Sequence, residues 1–228
     1  LFGGRCPDHR SRHIESRRET NYFFRSSRYH DWLVAELERN PSLIEPERYR
    51  NEVLAMLRDP GLGDLCISRP RERLDWGIAL PFDEGFVAYV WADALITYLT
   101  AIGYPDDPAW TERWAGAQHL IAKEILKFHG VLWPIMLHAA GIPLYRALRV
   151  HGYWTLGGQK ISKSATNLVD ALGLKDVYGF ETLRYFMLRE MSFGLDAEFS
   201  EEALVARINA DLANDLGNLV SRSLGMLG

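Results

Sequence analysis

Cysteine is nearly missing from this chain: Cys6 and Cys66 are the only two in 228 residues. So low a count excludes a disulfide scaffold and fits a reducing, cytoplasmic setting. No run of about 18 apolar residues occurs, so no membrane span is expected. An excess of one charge is also lacking. The net charge is -4, which leaves any contact with nucleic acid to local patches. Internal repeats and low-complexity segments are absent. The first residues, Leu1 to Arg10, show neither an initiator methionine nor a signal peptide. Both ends read as cuts through a longer protein.

What is present is enough apolar residue, 47%, to build a real core. Residues 1–20 are polar and Arg-rich, without periodic apolar positions. Trp32, Leu33 and Leu37, then Tyr49, Val53, Leu54, Met56 and Leu57, predict two helices, with Pro41 and Pro46 between them. Apolar, β-rich runs at 65–69, 86–91, 118–121 and 148–156 read as buried strands. Helices are predicted at 93–102, 123–138 and 177–191. The alternation of strands and helices implies an α/β layer around a parallel sheet. From Ser200 onward Leu204, Ile208, Leu212, Leu216 and Leu219 form one apolar helical stripe, opening an all-helical region.

The segment Lys160-Ile161-Ser162-Lys163-Ser164 follows the run 148–156 and the pair Gly157-Gly158. Two lysines three apart, among small hydroxyl residues, suit a mobile loop that grips a polyphosphate. Elsewhere Trp91, Ala94 and Tyr98 fall at helical spacing, as do Ile125, His129 and Trp133. Aromatic faces with one imidazole suit a thioether, because sulfur packs well near ring edges. Lys123-Glu124 follows a strand and opens a helix, where α/β sheets place ligand contacts. Plain core packing and solvated charge remain open for each of these features taken singly.

As an ordered set, these segments resemble bacterial methionyl-tRNA synthetases, members of the class I aminoacyl-tRNA synthetases. The set is Asn21 to Arg25, Ile67-Ser68-Arg69, Tyr89 to Ala94, His119 to Ile125, Phe128-His129, Trp133-Pro134, His151-Gly152-Tyr153, the lysine loop and Asp215 to Arg222. The lysine loop resembles the KMSKS signature, with Ile161 in place of methionine. The resemblance implies ATP-dependent activation of methionine and transfer to tRNA(Met). Its fold would be the C-terminal half of a Rossmann-type nucleotide-binding domain, followed by the start of a helical anticodon-binding domain. Residues 1–20 would be the tail of a connective, zinc-knuckle insertion, 21–199 the catalytic half and 200–228 the first anticodon-domain helix.

Site residues carried over by the resemblance are as follows. Lys160, Lys163 and Arg69 act at the reacting phosphates. Ala122, Glu124, Lys160, Ser162 and Lys163 bind ATP, which comes with magnesium. Trp91, Ala94, Leu95, Tyr98, Ile125, His129 and Trp133 bind methionine, and Asn218 and Arg222 read the anticodon. Two departures touch ATP: the family's Gly-Lys-Asp is Ala122-Lys123-Glu124 here. Cys6 and His9 match half of a zinc knuckle. The upstream Cys pair is absent, so no metal site is expected in this chain and zinc belongs, if anywhere, to a complete protein. The family's His-x-Gly-His motif is also absent, so the chain alone is expected to be inactive. Competing readings are a class I synthetase for leucine, valine, isoleucine or cysteine, or a non-catalytic RNA-binding remnant.

Overall fold

A computed structural model describes residues 18–59, 62–162 and 168–227. Cys6, His9 and Lys163 lie outside these. The chain divides into two compact units, one of residues 1–31 and 60–114, the other of 32–59 and 115–228.

The first unit is antiparallel. Phe23–Phe24 pairs with Leu65–Cys66. Asp83–Ala88 is the central strand between Ser68–Pro70 and Ala79–Leu80. The expectation of fully buried parallel strands at 65–69 and 86–91 is corrected here. Leu80 pairs with Asp83, leaving only Pro81-Phe82 between the strands. A two-residue connection reverses the chain into a hairpin, whereas parallel pairing needs a crossover of about a dozen residues. In the central strand only Val87 is fully buried, as expected of a sheet with one wet face. Tyr89 then caps helix Val90–Thr100, which begins three residues earlier than the sequence predicts. Leu95 and Leu99, four apart, are its buried face.

The second unit holds the expected parallel sheet. Its order is Ile44–Glu45, Ala147–His151, Gln118–Ala122, with all pairs parallel. Leu148 and Val150 of the central strand are fully buried, and so are Leu33, Leu37 and Val53 on helices His30–Arg39 and Glu47–Arg58. After Ala122 the chain makes a 3-10 turn, Lys123–Ile125, then a π-type turn, Lys127–Leu132, and finally helix Trp133–Ala139.

The predicted strand 148–156 is in fact two. It breaks at Gly152, where a Cβ would stand 2.2 Å from the backbone oxygen of Leu195. Beyond the break, Trp154–Leu156 joins a second sheet, antiparallel to Gln159–Lys160 and parallel to Ala197–Glu198. Gly157 and Gly158 form the hairpin turn at φ 62 and 73, backbone that glycine adopts without cost. The predicted helix 177–191 is Phe180–Glu190, and Gly179 at φ 84 separates it from a further helix, Ala171–Tyr178, that the sequence did not predict.

Ser200 caps the next helix as expected: its hydroxyl accepts the Ala203 N–H at 3.1 Å. Helix Glu201–Arg207 continues through a π-type stretch, Ile208–Leu216, into helix Gly217–Leu227. The apolar stripe is buried only at its start. Leu204 packs with Phe186 and Phe199, and Ile208 lies against that cluster. Leu216 and Leu219 are 52% and 63% exposed.

Candidate functional site

In the second unit the carboxyl ends of two parallel strands meet where Ala122 pairs with His151. The residues that follow, Lys123-Glu124 and Tyr153, carry the charge pattern of the site. Lys160 closes the glycine hairpin, and its Nζ donates to Glu124 Oε2 at 2.8 Å. The same ammonium lies 3.7 Å from the centre of the Tyr153 ring, within cation–π range. Lys123 Nζ donates to Asp196 Oδ2 at 2.6 Å. The other Asp196 oxygen accepts the Tyr153 N–H at 2.8 Å. Two lysines and two carboxylates thus surround one tyrosine.

Each pair holds its members charged. The hydrogen bond from Lys160, with one from the Tyr153 hydroxyl, keeps the Glu124 carboxyl below its usual range. Glu124 in turn raises Lys160, and Lys123 and Asp196 shift each other in the same way. Glu198 braces the hairpin from below. It accepts from the Thr155 hydroxyl and the Gly157 N–H, and from the Gly158 N–H at 3.3 Å. These bonds hold the Glu198 carboxyl low, Thr155 foremost. Past Lys160, the Ile161 N–H donates to the Trp154 oxygen at 3.1 Å, and the Ile161 side chain packs on the Phe186–Phe199–Leu204 cluster. Ser162 is half-buried. The hairpin that carries Lys160 is therefore anchored by Glu198 and by this cluster.

Beside the sheet edge lies the second expected group. Ile125 is half-buried, while His129 and Trp133 are buried. The His129 Nδ1–H donates to the Ile125 carbonyl at 3.1 Å. Trp133 Nε1–H donates to His119 Nε2, also at 3.1 Å.

The remaining predicted residues, Asn218 and Arg222 apart, belong to the first unit. Trp91, Ala94, Leu95 and Tyr98 share helix Val90–Thr100, with Leu95 buried, Trp91 and Ala94 half-buried and Tyr98 exposed. Arg69 donates to the Ser68 oxygen at 2.8 Å and the Cys66 thiol at 3.1 Å. Its guanidinium lies 4.0 Å over the Tyr89 ring. Cys66, on the predicted buried run 65–69, is half-buried. Asn218 and Arg222 stand exposed on the final helix.

Sequence reasoning missed Asp196, Glu198 and His119. Asp196 and Glu198 follow a glycine turn without any periodic signal, and their partners lie 73 and about 40 residues away. Among the described residues no group of three His, Cys, Asp or Glu side chains could hold a metal ion. Among them, too, no helix is long and apolar enough to cross a membrane.

Comparison with known proteins adds a family. The family described as tRNA synthetases class I (M) matches residues 7–224. The chain is 48% identical over 229 aligned residues to a methionine–tRNA ligase of Caldanaerobacter subterraneus, covering 100% of the chain and 35% of that protein. It is 49% identical to the Deinococcus radiodurans methionine–tRNA ligase, over 93% of the chain and 31% of that protein. Among solved structures, Mycobacterium tuberculosis methionyl-tRNA synthetase bound by methionyl-adenylate superposes with a TM-score of 0.81. That match has 46% identity and covers 92% of this chain and 41% of the other. The free form of the same enzyme gives 0.79, with 44% identity, 91% and 40%. The chain thus spans about a third of the length of the curated relatives it matches.

Proposed function

The chain belongs to the class I tRNA synthetases (M), and from this we propose that it serves a methionine–tRNA ligase. The whole protein would join methionine to ATP, release pyrophosphate and pass the methionyl group to tRNA(Met). A relative solved with methionyl-adenylate supports this chemistry. The observation that carries the reading is the Lys160–Glu124 pair at the carboxyl end of a parallel sheet. That is where open α/β sheets bind nucleotides.

In the first step a methionine carboxylate oxygen attacks the α-phosphorus of ATP. The bond to the bridging oxygen breaks, and pyrophosphate leaves. Charge grows on the phosphate oxygens, and fixed cations lower the barrier. Lys163 takes the larger share, Lys160 a supporting one, and Arg69 acts near the reacting carboxylate. Glu124 receives the ribose hydroxyls, and Ser162 and the Ala122 backbone line the nucleotide. Magnesium enters with ATP. Ile125, His129 and Trp133 of the second unit are assigned to methionine, and so, by the family resemblance, are Trp91, Ala94, Leu95 and Tyr98 of the first. Asn218 and Arg222 are assigned to the anticodon, with residues 200–228 as the first helix of that domain. Residues 21–199 form the catalytic half and 1–20 the tail of an insertion. A connective zinc belongs to the complete protein, if it is bound at all.

The test is ATP–pyrophosphate exchange by the full-length protein that contains this chain, with each amino acid in turn. Exchange that depends on methionine is expected. Exchange driven instead by leucine, isoleucine, valine or cysteine overturns the assignment.

A further inference from the structure

His119 has no place in the assignment above, yet it touches two members of the group assigned to methionine on the second unit, Trp133 and His129. Strand Gln118–Ala122 alternates, sending His119 and Ile121 into the core. A buried imidazole is costly unless its ring nitrogens are satisfied. Here the partner is definite. The Trp133 indole has one N–H and no acceptor, so the ring nitrogen 3.1 Å away must be the acceptor. His119 is therefore neutral and carries its own proton on Nδ1. Burial, with the neighbouring His129, lowers its pKa to about 4, which keeps the acceptor available. Tyr145 meets the His119 ring edge-on at 4.7 Å. The Tyr145 hydroxyl donates to the His129 carbonyl at 2.8 Å. The His129 and His119 rings stand 6.0 Å apart.

We infer that His119 is a positioning residue for methionine selection, fixing the rotation of the Trp133 indole by accepting its N–H. An indole in a fixed pose offers one shape of pocket wall. An indole whose N–H has lost its partner turns to find another, and the wall no longer favours a thioether over a side chain of similar length. The inference rests on the assignment of Trp133 to methionine.

The experiment is methionine-dependent ATP–pyrophosphate exchange by the full-length protein and its variants His119→Leu, His119→Gln, Trp133→Phe and the double variant His119→Leu/Trp133→Phe. For His119→Leu, KM for methionine rises about tenfold, the ratio expected for stranding one buried donor. KM for ATP and kcat stay near wild type, and discrimination against norleucine narrows. His119→Gln, whose side-chain oxygen can accept, recovers most of the affinity. In the Trp133→Phe background, which lacks the N–H, His119→Leu adds nothing further. Additive losses, failure of the glutamine rescue, or methionine and ATP affinities falling together overturn the inference. If His119→Leu does not fold, the glutamine variant decides by the same KM comparison. An unchanged methionine KM in Trp133→Phe overturns the assignment of Trp133 itself, whatever His119 does.

Discussion

Lys160 reaches back across 36 residues to the Glu124 carboxylate at 2.8 Å, joining two groups assigned to different parts of one nucleotide. Both are solvent-accessible, so the pair adds little to folding. Its value lies in placing a cation and an acceptor at the sheet edge. Glu124→Gln should raise KM for ATP about tenfold, the scale of one charge-assisted hydrogen bond. The melting temperature should barely move. Steady-state kinetics with calorimetry check this, and an unchanged ATP KM would remove Glu124 from the nucleotide site.

The two loop lysines should separate. Lys163→Ala should lower the rate of methionine activation on the order of 10²–10³-fold, the usual cost of one electrostatic stabiliser. Lys160→Ala should cost less, because Tyr153 and Glu124 already engage its ammonium. Methionine affinity should hold in both. Single-turnover formation of the adenylate measures the difference, and equal losses would erase the distinction between the lysines.

Acid should act through His119. Its folded pKa of about 4 lies below the ordinary 6.5, so folding favours the neutral ring. The stability this gives is whole above pH 6.5 and drains away as pH falls toward 4. Over that window the loss approaches about 3 kcal/mol. Urea unfolding of wild type and His119→Gln between pH 7 and 4 tests it. The variant should lose less stability across the window, and parallel curves would contradict the expected linkage.

Asn218 and Arg222 sit one turn apart on an exposed helix face. Arg222→Ala should weaken charging of tRNA(Met) while leaving tRNA-independent methionine activation nearly intact. Asn218→Ala should do the same and relax discrimination at the anticodon, since both side chains suit base recognition. Running both reactions on each variant decides. Equal loss in both would mean the helix acts through folding, and no loss in either would return the residues to ordinary solvated surface.

The 228-residue chain by itself should give no methionine-dependent exchange. It lacks a His-x-Gly-His motif and spans about a third of its relatives. Robust exchange by the purified chain would refute this.

Local chemistry made part of this legible in the sequence. The Ser200 cap needs only a hydroxyl three residues from an N–H, and the runs around Ile121 and Val150 announce buried parallel strands. The paired glycines signalled a loop, and the structure makes them the turn of a hairpin that carries Lys160. Pairing direction was not legible at 65–69 and 86–91, because an apolar run does not say which way its neighbour runs. The helix Ala171–Tyr178, which ends at Gly179, was not read from the sequence. The Asp196 contacts to Lys123 and Tyr153 depend on tertiary folding over 73 and 43 residues, which no local pattern encodes.

Gly152 carries one more consequence. With the Leu195 oxygen 2.2 Å from where its Cβ would be, no side chain fits without moving the backbone that delivers Tyr153 and Asp196. In a saturation library selected for growth, position 152 would therefore tolerate nothing but glycine. Its stringency would match that of a lysine touching phosphate, although it contributes no atom to the reaction. A ranking of positions by intolerance alone would count it among the chemical groups, and only a fold readout such as protease resistance would tell the two kinds of essential residue apart.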